Sequence, residues 1–209
     1  MTCPCAHVQN GGIRSPADRG PRHPRDMHLT VSRLEEGLDH VRRSPTDVGR
    51  VELIVRRPAV DEREVLEEGI LDLAAGLVGD SWRIRGSSRT ADGSAHPDMQ
   101  LNVINARLSS LVAVDPDRRV LAGDQLHLDL DLSHDNLPAG TRLALGSAVI
   151  EVTEIPHAGC AKFRDRFGAD ALRFVNSPTG RELRLRGLNA KVVVAGTVRE
   201  GDEVRKLLP

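Results

Sequence analysis

Aromatic side chains are nearly missing from this sequence: its 209 residues include one Trp, three Phe and no Tyr. So few rings cannot form the interleaved stacking platform on which single-stranded nucleic acids lie. An excess of one charge is missing too. Lys+Arg number 29 against 30 Asp+Glu, a formal charge of -1, so nothing draws the chain as a whole to phosphate backbones or anionic lipid. Neither a nucleic-acid nor a membrane partner is expected. No apolar run approaches the roughly 20 residues that cross a bilayer. The opening Met1-Thr2-Cys3-Pro4-Cys5-Ala6-His7 lacks the apolar stretch of a secretory signal, so the expected location is the cytoplasm. Cysteine is scarce. Cys3 and Cys5 lie in a Pro/Gly-rich leader and only Cys160 lies in sequence that reads as folded, which excludes a disulfide framework. Internal repeats are absent, and no strand, glycine-rich loop and helix follow one another as dinucleotide or P-loop binding requires.

With 39% hydrophobic residues and 19 glycines, the composition is that of an ordinary globular domain with a real core. Residues 1–27 show no period and read as a disordered leader, or as an upstream start before Met27. Cys3 and Cys5 have only His7 nearby, too few ligands for a zinc site. Residues 28–209 read as one domain. Val31, Leu34, Leu38 and Val41 repeat at helical spacing behind Ser32 and Glu35, which have capping-box spacing. Val51, Leu53 and Val55 alternate with Glu52 and Ile54 as a strand up to Pro58, and residues 65–77 read as a helix or ordered turn ending at Gly79. A strand is expected over 99–104, an apolar segment over 108–114, two strands over 142–155 broken at Gly146, and a further pair over 189–204 with a turn at Glu200-Gly201-Asp202. Short strands punctuated by turns predict a barrel or sandwich, mainly β with an α+β tendency.

Two places carry residues suited to chemistry. Over 126–132 the sequence Leu-His-Leu-Asp-Leu-Asp-Leu puts leucines on one face and His127, Asp129 and Asp131 on the other. The polar set resembles a metal site, but a half-buried antiparallel strand with its polar face in water has the same alternation, and that reading is preferred. The second place is Ile155-Pro156-His157-Ala158-Gly159-Cys160, which leaves a strand and enters a helix whose stripe is Phe163, Phe167, Ala171 and Phe174. A thiol at a helix N-terminus meets the positive end of the dipole and unpaired N–H groups, which favour thiolate. His157, Lys162, Arg164 and Arg166 add positive charge, partly offset by Asp165 and Asp170. Such a thiol suits a nucleophile, a persulfide carrier or a soft-metal ligand. Cys160 also falls on the stripe of Phe163 and Phe167, and a buried, inert core cysteine stays open beside the functional reading.

The run from Pro156 to Gly168 (Pro-His-Ala-Gly-Cys-Ala-Lys-Phe-Arg-Asp-Arg-Phe-Gly), with Leu185-Arg186-Gly187-Leu188-Asn189-Ala190-Lys191-Val192 and Gly196-Thr197-Val198-Arg199-Glu200-Gly201-Asp202-Glu203-Val204, resembles the MOSC domain family, named for the C-terminal domain of molybdenum cofactor sulfurases. Gly79-Asp80-Ser81-Trp82, Leu101-Asn102-Val103-Ile104-Asn105-Ala106-Arg107 and Ala122-Gly123-Asp124 extend the resemblance, which is strongest over 79–206. It implies a compact, antiparallel β-barrel-like fold with short peripheral helices. It also implies one working cysteine, matched here by Cys160, that carries sulfur as a persulfide or, in members that bind the molybdenum cofactor, ligates the metal.

Asp80, Arg107, His157, Lys162, Arg166, Arg186 and Asn189 fall in the matching segments. The expected roles are His157 or Lys162 keeping Cys160 as thiolate, and the basic and amide groups holding a small anionic ligand. Several have plainer readings. Asp202 and Arg186-Gly187 suit turns, Asp80 and Trp82 suit a helix-end turn with a packed indole, and Asn102 and Asn105 suit local backbone bonding. Larger relatives carry a pyridoxal-phosphate desulfurase, a separate N-terminal barrel or an iron-sulfur module, for which 209 residues leave no room. A cysteine desulfurase as sulfur donor, or an electron-donor protein, would then be a separate partner. The expected function is sulfur transfer through Cys160. The alternatives are a molybdenum-cofactor reductase of N-oxygenated substrates with Cys160 as metal ligand, and a non-catalytic ligand-binding barrel.

Overall fold

Strands that alternate apolar and polar residues can hide one face only by closing on themselves or packing on another layer, and this chain does both. The computed structural model describes residues 28–208, so the leader, with Cys3, Cys5 and His7, lies outside the described residues. In chain order the elements are α1 (Val31–Arg42), β1 (Val48–Arg56), β2 (Glu64–Leu66), β3 (Glu68–Asp72), β4 (Gly76–Leu77), α2 (Trp82–Arg85), β5 (Leu101–Asn105), α3 (Ala106–Ala113), β6 (Leu126–Asp129), β7 (Arg142–Leu145), β8 (Ala148–Val152), α4 (Ala161–Asn176), α5 (Pro178–Glu182), β9 (Leu188–Val194), β10 (Gly196–Arg199) and β11 (Glu203–Leu207).

Seven strands close a barrel in the order β1-β11-β7-β8-β9-β5-β6 and back to β1. The nine-residue β1 makes closure possible. One of its edges pairs with β6, while its other edge pairs first with β11 and then, past residue 54, with β2. The barrel is mixed and not antiparallel throughout, because β5 and β6 run parallel. A parallel pair needs a long crossover, supplied here by α3 and a 3-10 segment over Pro116–Ala122.

The leucines, valines and isoleucines of the strands fill the barrel interior. A second core lies outside the wall, where Leu34, Ile104, Leu108 and Val112 meet Phe163, Phe167 and Phe174. All the phenylalanines of the chain therefore anchor one helical layer against one side of the barrel.

Four expectations are corrected. The segment 65–77 forms β2, β3 and β4, with burial alternating along β3 at a period of two; its apolar spacing imitated a helix because adjacent pairs such as Ile70 and Leu71 face opposite sides. The α1 cap is Thr30, whose hydroxyl accepts from the Arg33 N–H at 3.5 Å, so the helix begins before Ser32. Residues 189–204 contribute to three strands, because β10 leaves the barrel to join β3 and β4 in a small second sheet. The polar face of residues 126–132 is only partly in water, with Asp129 and Asp131 half-buried. His127 is fully buried under α3, its Nδ1 2.9 Å from Ser109 Oγ.

Candidate functional site

The turn between β8 and α4 brings most of the singled-out residues together. Cys160 is the N-cap residue of α4, in extended backbone, and its side chain is exposed. A buried, inert Cys160 is thereby corrected: the stripe passes through Phe163 and Phe167, which are buried, but the chain before Ala161 has left the helical path and turns the thiol outward.

Three asparagine amides fasten this turn. Asn189 on β9 donates to the Ile155 carbonyl at 2.9 Å. Asn102 on β5 accepts from Arg57 Nη1 at 3.0 Å, and donates through Nδ2 to Asn189 Oδ1 at 2.7 Å and to His157 Nδ1 at 3.2 Å. A guanidinium can only donate, so Asn102 Oδ1 must face Arg57 and its amide hydrogens face His157 and Asn189. His157 Nδ1 is then the acceptor, and its proton sits on Nε2. Asn176, at the far end of α4, accepts from the Gly159 N–H at 2.9 Å and donates to the Gly159 carbonyl at 3.1 Å. A side chain at 159 would put its Cβ 2.8 Å from Leu172 Cδ1 and 3.0 Å from Val175 Cγ2, so it could be seated only if these side chains shifted.

Two buried ion pairs brace these amides. Asp80 is wholly buried and takes Arg57 Nε and Nη2 at 2.8 Å each, with the Arg57 and Trp82 N–H groups at 3.0 and 2.9 Å. Burial alone would push its carboxyl up, but these bonds outweigh burial and hold it below the usual range. Asp124, also wholly buried, takes Arg186 Nη1 at 2.8 Å on both oxygens. There burial pushes the carboxyl up, and the Arg186 charge only partly pulls it back. Arg186 also lies 5.1 Å over the Phe163 ring.

His157 Nδ1 is 3.8 Å from Asp124 Oδ1. Burial, then the Arg186 charge, push the imidazole well below its ordinary value, although a hydrogen bond to the Leu188 backbone works the other way. His157 is therefore neutral at pH 7. It can polarise or accept a proton, but it does not supply the positive charge expected of it beside Cys160.

A cavity lies on either side of the turn. One, of about 330 Å³, is lined by Arg57, Arg63, Arg85, Lys162 and Asp61. Arg63 and Arg85 are lowered by burial and then by neighbouring guanidiniums, Arg166 acting on Arg63 and Arg57 on both, the signature of crowded positive charge. Arg166 reaches one of the lining residues, donating to Asp61 at 3.0 Å and to the Leu121 carbonyl at 2.9 Å. The other cavity, of about 420 Å³, reaches His157, Asn176 and Arg186.

Of the residues singled out, Asp80, His157, Cys160, Lys162, Arg166, Arg186 and Asn189 share this region, and Arg107 does not. Its guanidinium grips Asp129 at 2.6 and 3.0 Å on another face, beside α1. Asp131 bonds the Ser133 N–H and hydroxyl, so His127, Asp129 and Asp131 each have separate partners. Among the described residues no group of three or more His, Cys, Asp or Glu could hold a metal ion. The structure adds Arg57, Asp124, Asn102, Arg63, Arg85 and Asn176 as neighbours of the site. Arg57 before Pro58 and Asp124 in the Ala-Gly-Asp run were visible in sequence, but nothing there marked Asn176 as a partner of a glycine seventeen residues back.

No family model matches the chain, and no curated protein matches it. Solved structures share its fold. The YuaD protein from Bacillus subtilis aligns at TM-score 0.56 and 15% identity, covering 75% of this chain and 94% of that one. A hypothetical protein aligns at 0.51 and 20%, covering 77% and 69%. YiiM from Escherichia coli aligns at 0.50 and 18%, covering 77% and 70%. Among the described residues no helix is long and apolar enough to cross a membrane.

Proposed function

We propose that this is a stand-alone MOSC-type protein that carries sulfur on Cys160. The observation behind this reading is an exposed thiol on a turn pinned at its backbone by Asn189 and Asn176 and at the His157 ring by Asn102. Fixing the turn while leaving the sulfur accessible is what a nucleophile that meets a partner protein requires, since reaction geometry is set before encounter. The Cys160 thiolate attacks the outer sulfur of a donor's cysteine persulfide. The donor S–S bond breaks, a new S–S bond forms on Cys160, and the donor leaves as thiolate, with no net oxidation. Lys162, two residues on, supplies positive charge close in sequence to the attacking sulfur, and the neutral His157 imidazole, held at Nδ1 by Asn102, helps to fix the turn from which the thiol projects.

The test is mass spectrometry of the Cys160 peptide from native protein incubated with a cysteine desulfurase and cysteine. The expected result is one added sulfur atom that reductant removes and that Cys160→Ser lacks. Full sulfur transfer by Cys160→Ser overturns the reading.

A second reading is favoured by the crowded cations of the 330 Å³ cavity. Arg57, Arg63, Arg85 and Lys162 fit the phosphate of an anionic cofactor, and the exposed Cys160 thiol fits a soft metal such as molybdenum. When bound, that cofactor would supply oxygen-atom and electron transfer, with electrons from a separate donor protein. About one molybdenum per chain after expression with the cofactor available supports it, and none supports the carrier.

A further inference from the structure

The 420 Å³ cavity behind the turn shares His157, Asn176 and Arg186 with the site described above, and the rest of its lining has the composition of a ligand site. Its floor is apolar, from Ile155, Val175 and Leu188, and its cationic side is Arg181, Arg184 and Arg186 with His134 beside them. Small-molecule sites combine these elements, an apolar body with a few placed polar groups. The charges are not equally matched. Arg186 is neutralised by Asp124, whereas among the described residues Arg181 and Arg184 have no ion-pair partner. Glu154 at the rim is the acid of the lining, and it is exposed.

Arg184 is the more constrained of the two. Its backbone sits in the left-handed region at φ 47, which a non-glycine residue adopts only where its surroundings impose it. The imposing contacts are the Gly187 N–H on the Arg184 carbonyl at 2.7 Å and the Arg184 N–H on the Arg181 carbonyl at 3.1 Å. Its guanidinium bonds the Leu137 carbonyl, which holds the charge without neutralising it. Burial lowers the pKa of this guanidinium, and burial followed by the Arg184 charge lowers that of His134. Left-handed backbone and a carbonyl tether thus fix an arginine, with no carboxylate paired to it among the described residues, in the wall of a cavity that also has an apolar lining.

We propose that this cavity binds a small organic carboxylate, its anionic end on Arg181 and Arg184 and its apolar body on Ile155, Val175 and Leu188. A carboxylate with an aliphatic tail uses both parts, while inorganic phosphate or acetate uses only the guanidiniums. The test is run on Cys160→Ser protein, which cannot carry sulfur, so failure of the sulfur reading has no bearing on it. Hexanoate, acetate and inorganic phosphate are each titrated by calorimetry and by amide shifts of the 153–158 and 180–188 segments.

The expected result is one hexanoate per chain with a Kd on the order of 1 mM, acetate and phosphate at least about tenfold weaker, and about tenfold loss in Arg184→Gln. Because Arg184→Gln removes a tether and can loosen the fold, the exposed Arg181→Gln is the second variant, expected to weaken hexanoate about fivefold at unchanged thermal midpoint. Hexanoate that never saturates, phosphate binding as tightly as hexanoate, or affinity indifferent to Arg181→Gln would each overturn the proposal.

Discussion

His127 on β6, fully buried, and His157 on the β8–α4 turn, partly buried, are both neutral imidazoles, yet the regions around them differ in kind. His127 is pushed down to about 3, first by burial and then by the charges of Arg119 and Arg186. Ser109 donates its hydroxyl to the Ala106 carbonyl, so it accepts from His127 Nδ1, and among the described residues His127 Nε2 has no hydrogen-bond partner. Around His157 nearly every polar atom is engaged by another buried polar group, and the ring borders a cavity and stands three residues from an exposed thiol. A depressed histidine therefore does not mark a site. A connected polar network that ends at open space and a reactive atom is the better sign.

The largest expected effect tests the network. Arg57→Met leaves the Asp80 carboxylate buried without its cation, and breaking one partner of a buried pair costs about 3–5 kcal/mol. Urea unfolding should show that loss, and a loss under about 1 kcal/mol would mean that the pair does not brace the turn. Next comes acid. Between about pH 6.5 and 3 the unfolded chain protonates His127 and the folded chain does not. Stability is then full above 6.5 and falls as pH drops, by up to about 1.4 kcal/mol per pH unit for each such histidine. His127→Leu should flatten this slope and leave the sulfur loading of Cys160 intact, whereas His157→Leu should flatten it and also slow loading. Equal loading in the two variants would erase the contrast between the regions.

A smaller effect sharpens the role of the turn. Asn176→Ala leaves the Gly159 N–H and carbonyl without their partners, worth about 1–3 kcal/mol, and hydrogen exchange should quicken at Gly159 while the amide of His127 stays protected. Smallest is Arg107→Ala. Its pair with Asp129 is partly exposed, 21% and 27%, and such pairs are worth about 1 kcal/mol or less. Cys160 alkylation should not change at all.

Much of the fold was legible. The α1 stripe, the break at Gly146 and the helix entered at Cys160 follow from local periodicity and turn chemistry. The segment 65–77 was misread because strand pairing, which decided it, is contributed by β1 and β10 and leaves no local trace. Arg107 was grouped with the site because its segment matched, yet α3 carries its side chain to Asp129 on another face. Asn176 was invisible for the converse reason: its partner Gly159 is brought beside it only when the turn folds back along α4.

Periodicity and turn residues act over a few neighbours, and they suffice to place a lone cysteine of folded sequence at a helix entry and to predict short strands forming a barrel or sandwich. The packing of distant segments settles the rest: Cys160 is exposed while His127 is sealed, Asp80 and Asp124 are each matched to an arginine, and cations gather in two cavities. Burial and charge pairing depend on which distant segments share a dielectric environment, and no local pattern encodes that.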